Sequence, residues 1–151
     1  MSSTIIQSIH HEHAENILKE LKLYEMRKTA PRGSNFPYTI YMYETKHLYK
    51  GSGGVLFPGE GAVIGFYTCN VIIKTNAFGA ALRESNTPEE AAARAEIAKR
   101  ACLTEAQLAA YAGGKDIYAY VVSNPTRFAK PRPLSDFGIT RPPQSWQFIK
   151  K

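Results

Sequence analysis

Three charged residues in the stretch KLYEMRK stand at a spacing that can do chemistry: Lys22, Glu25 and Arg27. Read as a β-strand, the stretch turns Leu23, Glu25 and Arg27 to one face and Tyr24, Met26 and Lys28 to the other, because side chains alternate. A carboxylate and a guanidinium two residues apart then form a pair, on wet surface or in a cleft that handles something polar. Lys22 lies in the connection ahead of the strand and can reach the side of Glu25. An ammonium held near such a pair can bind a phosphate or carbonyl oxygen, or act as a base if its pKa is depressed. A surface salt-bridge cluster carries the same signature and has no such role.

Other stretches offer less. HHEH sets His10, His11 and His13 at a helix start, but no further His, Cys or paired carboxylate stands nearby to complete a metal site, so an exposed helix start is expected and no metal. The six glycines between Tyr49 and Gly65 fit no phosphate-binding pattern and read as a surface loop, with a lid over a cleft as the functional variant. Neither a G-x-S-x-G elbow nor a Cys–His arrangement is present. Cys69 and Cys102 are too few for a disulfide framework or zinc site; reduced buried thiols in a cytoplasmic protein are expected, with no cofactor.

The elements that must position these residues can be traced along the chain. Thr4–Ile9 reads as a strand, and Ser8 as the cap of a helix carrying Ala14, Ile17, Leu18 and Leu21 on one face. After KLYEMRK, the turn residues of APRGSNFP lead to YTIYMYET (Tyr38–Thr45), apolar on both faces and so interior to a sheet. AVIGFYTCNVIIKT (Ala62–Thr75) reads as another strand, with Gly65 as a bulge or closure point. Thr87 with Glu90, and Thr104 with Gln107, have capping-box spacing and open two helices; Pro88 suits the first helical position and Gly113 ends the second helix. DIYAYVVSN is a final clear strand. The remaining proline-rich stretch has too many large apolar residues to be disordered, and should wrap the domain and add short edge strands. The sum is an α+β fold around a sheet that is open or closed into a barrel, in one domain spanning 1–151.

Composition bounds the function. Of 151 residues, 44% are hydrophobic and 21% charged, which suits a globular chain with a real core, and no apolar run is long enough to span a bilayer. The N-terminus lacks the pattern of a signal peptide. The net charge is +6, and six basic residues against one acid fall between Thr126 and Lys151, leaving 13 basic and 12 acidic residues before them. Phe128, Phe137, Trp146 and Phe148 interleave with those cations, as a partner bearing phosphates and stackable bases would require. Core aromatics beside solubilising cations would look the same.

Several stretches together resemble the ASCH (activating signal cointegrator homology) domains of the PUA-like superfamily. IIQSIHHEHAENILKELKLYEMRK is similar to the family opening, in which a strand and short helix lead to Gly-x-Lys-x-x-Glu-x-Arg. Lys22, Glu25 and Arg27 match its charged positions, and Glu20 stands in place of its glycine. IYMYET, VIGFYTCNVI and NPTRFAKPRPLSDFGITRPPQSWQFI are similar to later blocks. The resemblance implies a PUA-like mixed β-barrel with flanking helices and a cleft lined by Lys22, Glu25 and Arg27, with Arg141 and Ser145 of the last block as further ligand-binding candidates. It implies an RNA, nucleotide or nucleoside partner and no membrane. It also leaves open a hydrolase acting on RNA or a modified nucleoside, with Lys22 and Glu25 as base and acid. Relatives that deacetylate acetylcytidine carry threonine where this chain has Glu25, and their later catalytic glutamate has no counterpart near RACLTEAQ. In the cleft so implied, Arg27 would hold Glu25 and leave Lys22 free for the ligand, while Trp146 and Phe148 would be buried against the barrel.

Overall fold

The computed structural model describes residues 3–33, 35–50, 52–79 and 87–149. Ser34 of the first turn, Gly51 of the glycine-rich stretch, and Lys150 and Lys151 of the basic tail lie outside these. In chain order the elements are β1 (Ser3–Ile9), α1 (His11–Leu18), β2 (Tyr24–Arg27), β3 (Tyr38–Glu44), β4 (Leu48–Lys50), β5 (Leu56–Pro58), β6 (Ala62–Cys69) and β7 (Ile72–Thr75). There follow α2 (Pro88–Ala101), α3 (Glu105–Ala112), β8 (Ile117–Val121), β9 (Ser123–Arg132) and β10 (Trp146–Phe148).

The larger sheet runs β10-β1-β3-β6-β9, with β1 parallel to β3 and the other pairings antiparallel. Both of its faces are covered, as the unbroken apolar character of YTIYMYET requires. Tyr38, Ile40 and Met42 join Ile5, Ile17, Tyr67 and Tyr120 on one face. Tyr41 and Tyr43 lie on the other, with Ile6, Val63 and Ile139. Phe128 and Phe137 of the basic stretch pack into this second cluster, so these two aromatics are core pegs. The proline-rich stretch supplies both sheet edges, β9 and β10, where Pro125 and Pro131 leave no central ladder without a donor.

Two expectations change here. AVIGFYTCNVIIKT is not one strand: the chain leaves β6 at Asn70 and enters β7 in a second sheet, ordered β2-β8-β7. The passage from β8 to β9 through Val122 makes the same change of sheet, and the Val121 N–H donates to Val71 O beside it at 3.1 Å. The two sheets thus meet at a corner around a shared core, and no barrel closes among the described residues: β10 and β9 edge one sheet, β2 and β7 the other. Gly65 does mark a bulge, since the register against β3 skips Ile64. A Cβ on Gly65 would come 2.3 Å from Thr126 O, so only glycine admits β9 this closely.

Helices α2 and α3 cover the smaller sheet, burying Ala98, Ala101, Leu108 and Ala112 against Met26, Ile117 and Ala119. Thr87 and Thr104 cap them as the sequence indicates, with a full capping box at Thr104 and Gln107. Ser8 does not cap α1: it lies in β1, its hydroxyl donates to Pro143 O, and His10 takes the cap position without a side-chain bond. Leu21 falls beyond the helix and is exposed, because α1 stops at Leu18. Glu20 then takes a left-handed conformation (φ 62°), with Leu21 N donating to Asn16 O and Glu20 N to Ile17 O. These are the two bonds of a Schellman motif, whose left-handed position suits glycine best. Glu20 therefore stands, at a backbone cost, where the sequence resemblance expects glycine.

Candidate functional site

Strand β2 is short, and its alternation does the positioning. Met26 turns into the cluster under α2 and α3, which sends Glu25 and Arg27 to the opposite side, towards α1 and the C-terminal segment. Arg27 donates from Nε and Nη2 to Glu25 Oε2, at 3.0 and 2.7 Å. Its remaining donors reach Ser8 O from Nη2 at 2.7 Å, and Ser145 O and Oγ from Nη1 at 3.3 and 3.2 Å. One guanidinium thereby ties β2 to β1 and to the residue ahead of β10. Lys22 Nζ donates to Ala101 O at the end of α2 and lies 3.6 Å from Glu25 Oε1.

All three are buried: Lys22 is 1% exposed, Glu25 5% and Arg27 8%. Burial pushes the Glu25 carboxyl up, but Arg27, Lys22 and His13 together outweigh it and hold the group below the usual carboxylate range. Burial likewise opposes the charge on Arg27, and the adjacent Glu25 more than compensates. The site is therefore a fixed Lys⁺–Glu⁻–Arg⁺ chain. Glu25 and Arg27 pair on one side of a cleft, as their spacing indicates. Lys22 does not stand free; it lines the cleft while only 1% exposed, with two acceptors already facing it.

The cleft has a volume of about 790 Å³ and opens between the start of α1, the β2 end, α3 and the segment before β10. Ser145 lines it. Arg141 is exposed and not among the lining residues. Lys28 stands over the Tyr111 ring at 4.9 Å on its rim. Half the described tail cations are already paired, Arg127 with Glu15 at 2.6 Å and Arg132 with Asp136 at 3.2 Å. Trp146 is half-buried and donates from Nε1 to Thr29 Oγ1 at 3.0 Å, whereas Phe148 is 43% exposed on edge strand β10.

His13 is a cleft residue that its sequence context hides. It sits in the first turn of α1, half-buried, and burial above all lowers its pKa; Lys22 adds to this and Glu25 opposes it. The first turn is thus not uniformly exposed. Its neighbour His11 donates or accepts at Glu44 Oε2 (3.0 Å), and with Glu15 these residues bring donor atoms within 4.8 Å of one another. All three already have protein partners: Glu44 accepts from Glu60 N and Glu15 is held by Arg127. The signal for His13 was its three-residue spacing from His10, which set both on the cleft side.

No protein-family model and no curated protein matches the chain. Solved structures do. The ASCH protein of Zymomonas mobilis superposes with a TM-score of 0.67 at 20% identity, covering 99% of this chain and 89% of that one. A serine-to-alanine variant of it gives 0.69 at 19% identity with the same coverage. A tyrosine-to-phenylalanine variant gives 0.67 at 20%, covering 99% and 91%. The chain has the ASCH fold, a mixed α+β arrangement of helices around two principal sheets. The likeness indicated by Lys22, Glu25, Arg27 and the C-terminal block extends over almost its whole length.

Proposed function

We propose that this chain binds RNA or a nucleotide in the cleft beside Lys22, Glu25 and Arg27. The observation that carries the reading is the cleft itself. A wall with two fixed cations against one carboxylate leaves a net positive field, and Lys28 with Tyr111 puts a cation and an aromatic face at the rim. A nucleotide offers a phosphate to the first and a base to the second. Within this reading Arg27 is a positioning residue, because its donors are spent inside the protein. Ser145 is placed by it, and Lys22 contributes its charge to the cleft wall from between Ala101 O and Glu25. Arg141 acts at a distance, through the field of the basic C-terminal stretch.

The test is fluorescence anisotropy of a labelled single-stranded RNA against salt, for the wild type, Lys28→Ala and Lys22→Met. Each phosphate contact should add about 0.7 to the slope of log affinity against log salt, and Lys28→Ala should lower that slope. Lack of binding by the wild type at low salt would overturn the reading.

A hydrolase acting on RNA or a modified nucleoside is the second reading, favoured by the contact between Lys22 Nζ and Glu25 Oε1. In it Glu25 positions Lys22 and does not serve as the acid, since its carboxyl is held ionised at neutral pH. Turnover of acetylcytidine or RNA that disappears in Lys22→Met would support this reading, and turnover unchanged in that variant would remove it.

A further inference from the structure

In the hydrolase reading Lys22 and Glu25 are poor proton carriers: the ammonium is held between Ala101 O and Glu25, and the carboxylate by Arg27. A proton must then move at a group that solvent and substrate can reach. His10 and Glu12 line the same cleft, their side chains are 46% and 50% exposed, and His10 Nδ1 lies 4.0 Å from Glu12 Oε1. The His10 ring is steadied by His47, which stands outside the cleft lining: the two stack with centroids 4.0 Å apart and planes 7° apart. Thr45 N donates to Ile9 O at 2.9 Å and so fixes the end of β3, two residues before His47, against the start of α1. The His13 ring stands 6.3 Å from His10, and His13 in turn feels the charges of Glu25 and Lys22. An accessible imidazole with a carboxylate beside it thus shares the cleft with the fixed Lys22–Glu25–Arg27 chain.

We propose that His10 is the general base of an RNA-cleaving reaction, positioned by Glu12 and His47, with the 2′-hydroxyl beside the scissile phosphate as nucleophile. This rests on the hydrolase reading and deepens it. Imidazole takes up and returns a proton near neutral pH, and a carboxylate beside it favours the imidazolium that forms. A 2′-hydroxyl already stands next to its phosphorus, so the protein has to supply a base and stabilisation of charge. His10 Nε2, the ring nitrogen not turned to Glu12, takes the hydroxyl proton; the 2′-oxygen bonds to phosphorus and the P–O5′ bond breaks. The departing 5′-oxygen takes a proton from water, and the hydroxide so formed returns His10 to its neutral state. The products are a 2′,3′-cyclic phosphate and a 5′-hydroxyl. Lys22 and Arg27 provide a fixed positive field for the charge that builds on the phosphoryl oxygens. The titratable groups facing His10 are Glu12, His13 and His47.

The experiment follows cleavage of an end-labelled single-stranded RNA across pH 5–9 by wild type, His10→Ala, Glu12→Gln, His47→Ala and His47→Phe. Affinity is read separately by anisotropy on a 2′-O-methyl strand, which cannot react. His10→Ala should lose about 100-fold or more in kcat with affinity little changed. It should also fold, since His10 makes no side-chain capping bond. Wild-type products should carry 2′,3′-cyclic phosphates, and a strand with deoxyribose at the cleaved position should resist. Glu12→Gln should move the acidic limb of the pH profile to lower pH, because the carboxylate that favours the protonated ring is gone; a purely structural Glu12 would not move it. His47→Phe keeps a ring under His10 and should recover most of what His47→Ala loses. Should His10→Ala melt early, the product ends and Glu12→Gln still decide. Wild-type cleavage that survives His10→Ala, or that leaves 5′-phosphate ends, would overturn the assignment and leave the hydrolase reading standing. No RNA cleavage by the wild type would overturn the assignment, and the hydrolase reading would fall with it unless acetylcytidine is turned over.

Discussion

Replacing Glu25 by glutamine tests the physical account of the site most directly. The substitution keeps the shape and removes the one carboxylate standing between two buried cations, Lys22 at 3.6 Å and Arg27 at 2.7 Å. Breaking a buried ion pair from one side costs about 3–5 kcal/mol, because the surviving charge is left uncompensated. Here two charges survive, so the upper part of that range applies. For a chain of this size each kcal/mol moves the melting temperature by about 2–4 °C, which gives a fall of about 10–20 °C. The assay is thermal and urea unfolding, with a companion in which Lys22→Met, Glu25→Leu and Arg27→Met are combined. Replacing all members of a buried ionic group by apolar residues is often near neutral, so the combination should recover much of the stability. Arg27 complicates this, since its bonds to Ser8 and Ser145 are lost as well and the segment before β10 should loosen. A Glu25→Gln melting temperature within about 2 °C of the wild type would refute the reasoning. So would a triple variant no more stable than Glu25→Gln, since the cost would then lie in packing and not in unpaired charge.

Acid should act on the same site. Glu25 has a folded pKa below its unfolded value of about 4.3, so its contribution is complete above that pH and is lost as pH falls through the folded pKa. His13, lowered from 6.5, adds a loss beginning below about pH 6.5; urea midpoints across pH 3–8 that fail to decline towards acid would contradict both. Glu20→Gly relieves a left-handed glutamate worth roughly 1–2 kcal/mol, offset by glycine's own entropy, so a net gain of up to about 1 kcal/mol is expected in urea midpoints. Gly65→Ala should cost about 1–3 kcal/mol by forcing β9 away from β6, and an unchanged melt would mean the bulge yields freely. Cys69, buried and with its thiol pushed up to about 11, should resist alkylation at pH 8 while the more exposed Cys102 reacts; mass spectrometry of the modified peptides reads this directly.

Where a rule is local, the sequence alone was enough. Alternation over four residues placed Glu25 and Arg27 together and Met26 opposite, because strand parity needs no partner to be true. The caps at Thr87 and Thr104, the two-faced apolar strand Tyr38–Glu44 and the crowded Gly65 were legible for the same reason. What failed depended on contacts distant in sequence. Ser8 looked like a cap until Pro143 claimed its hydroxyl from 135 residues away. Lys22 looked free until the end of α2 brought the Ala101 carbonyl onto its ammonium. Ala62–Thr75 read as one strand because composition does not reveal a corner; only the course of the chain through Val71 and Val122, side by side, divides it between sheets. The tail's cations left a binding face and a solubilising surface equally open in composition; only the fold pairs two of them with Glu15 and Asp136. His13 and Thr45 lie 32 residues apart and share no pattern; the parallel pairing of β1 with β3 sets them on one cleft. Spacing along the chain determines which face a side chain takes, and only packing decides what that face meets.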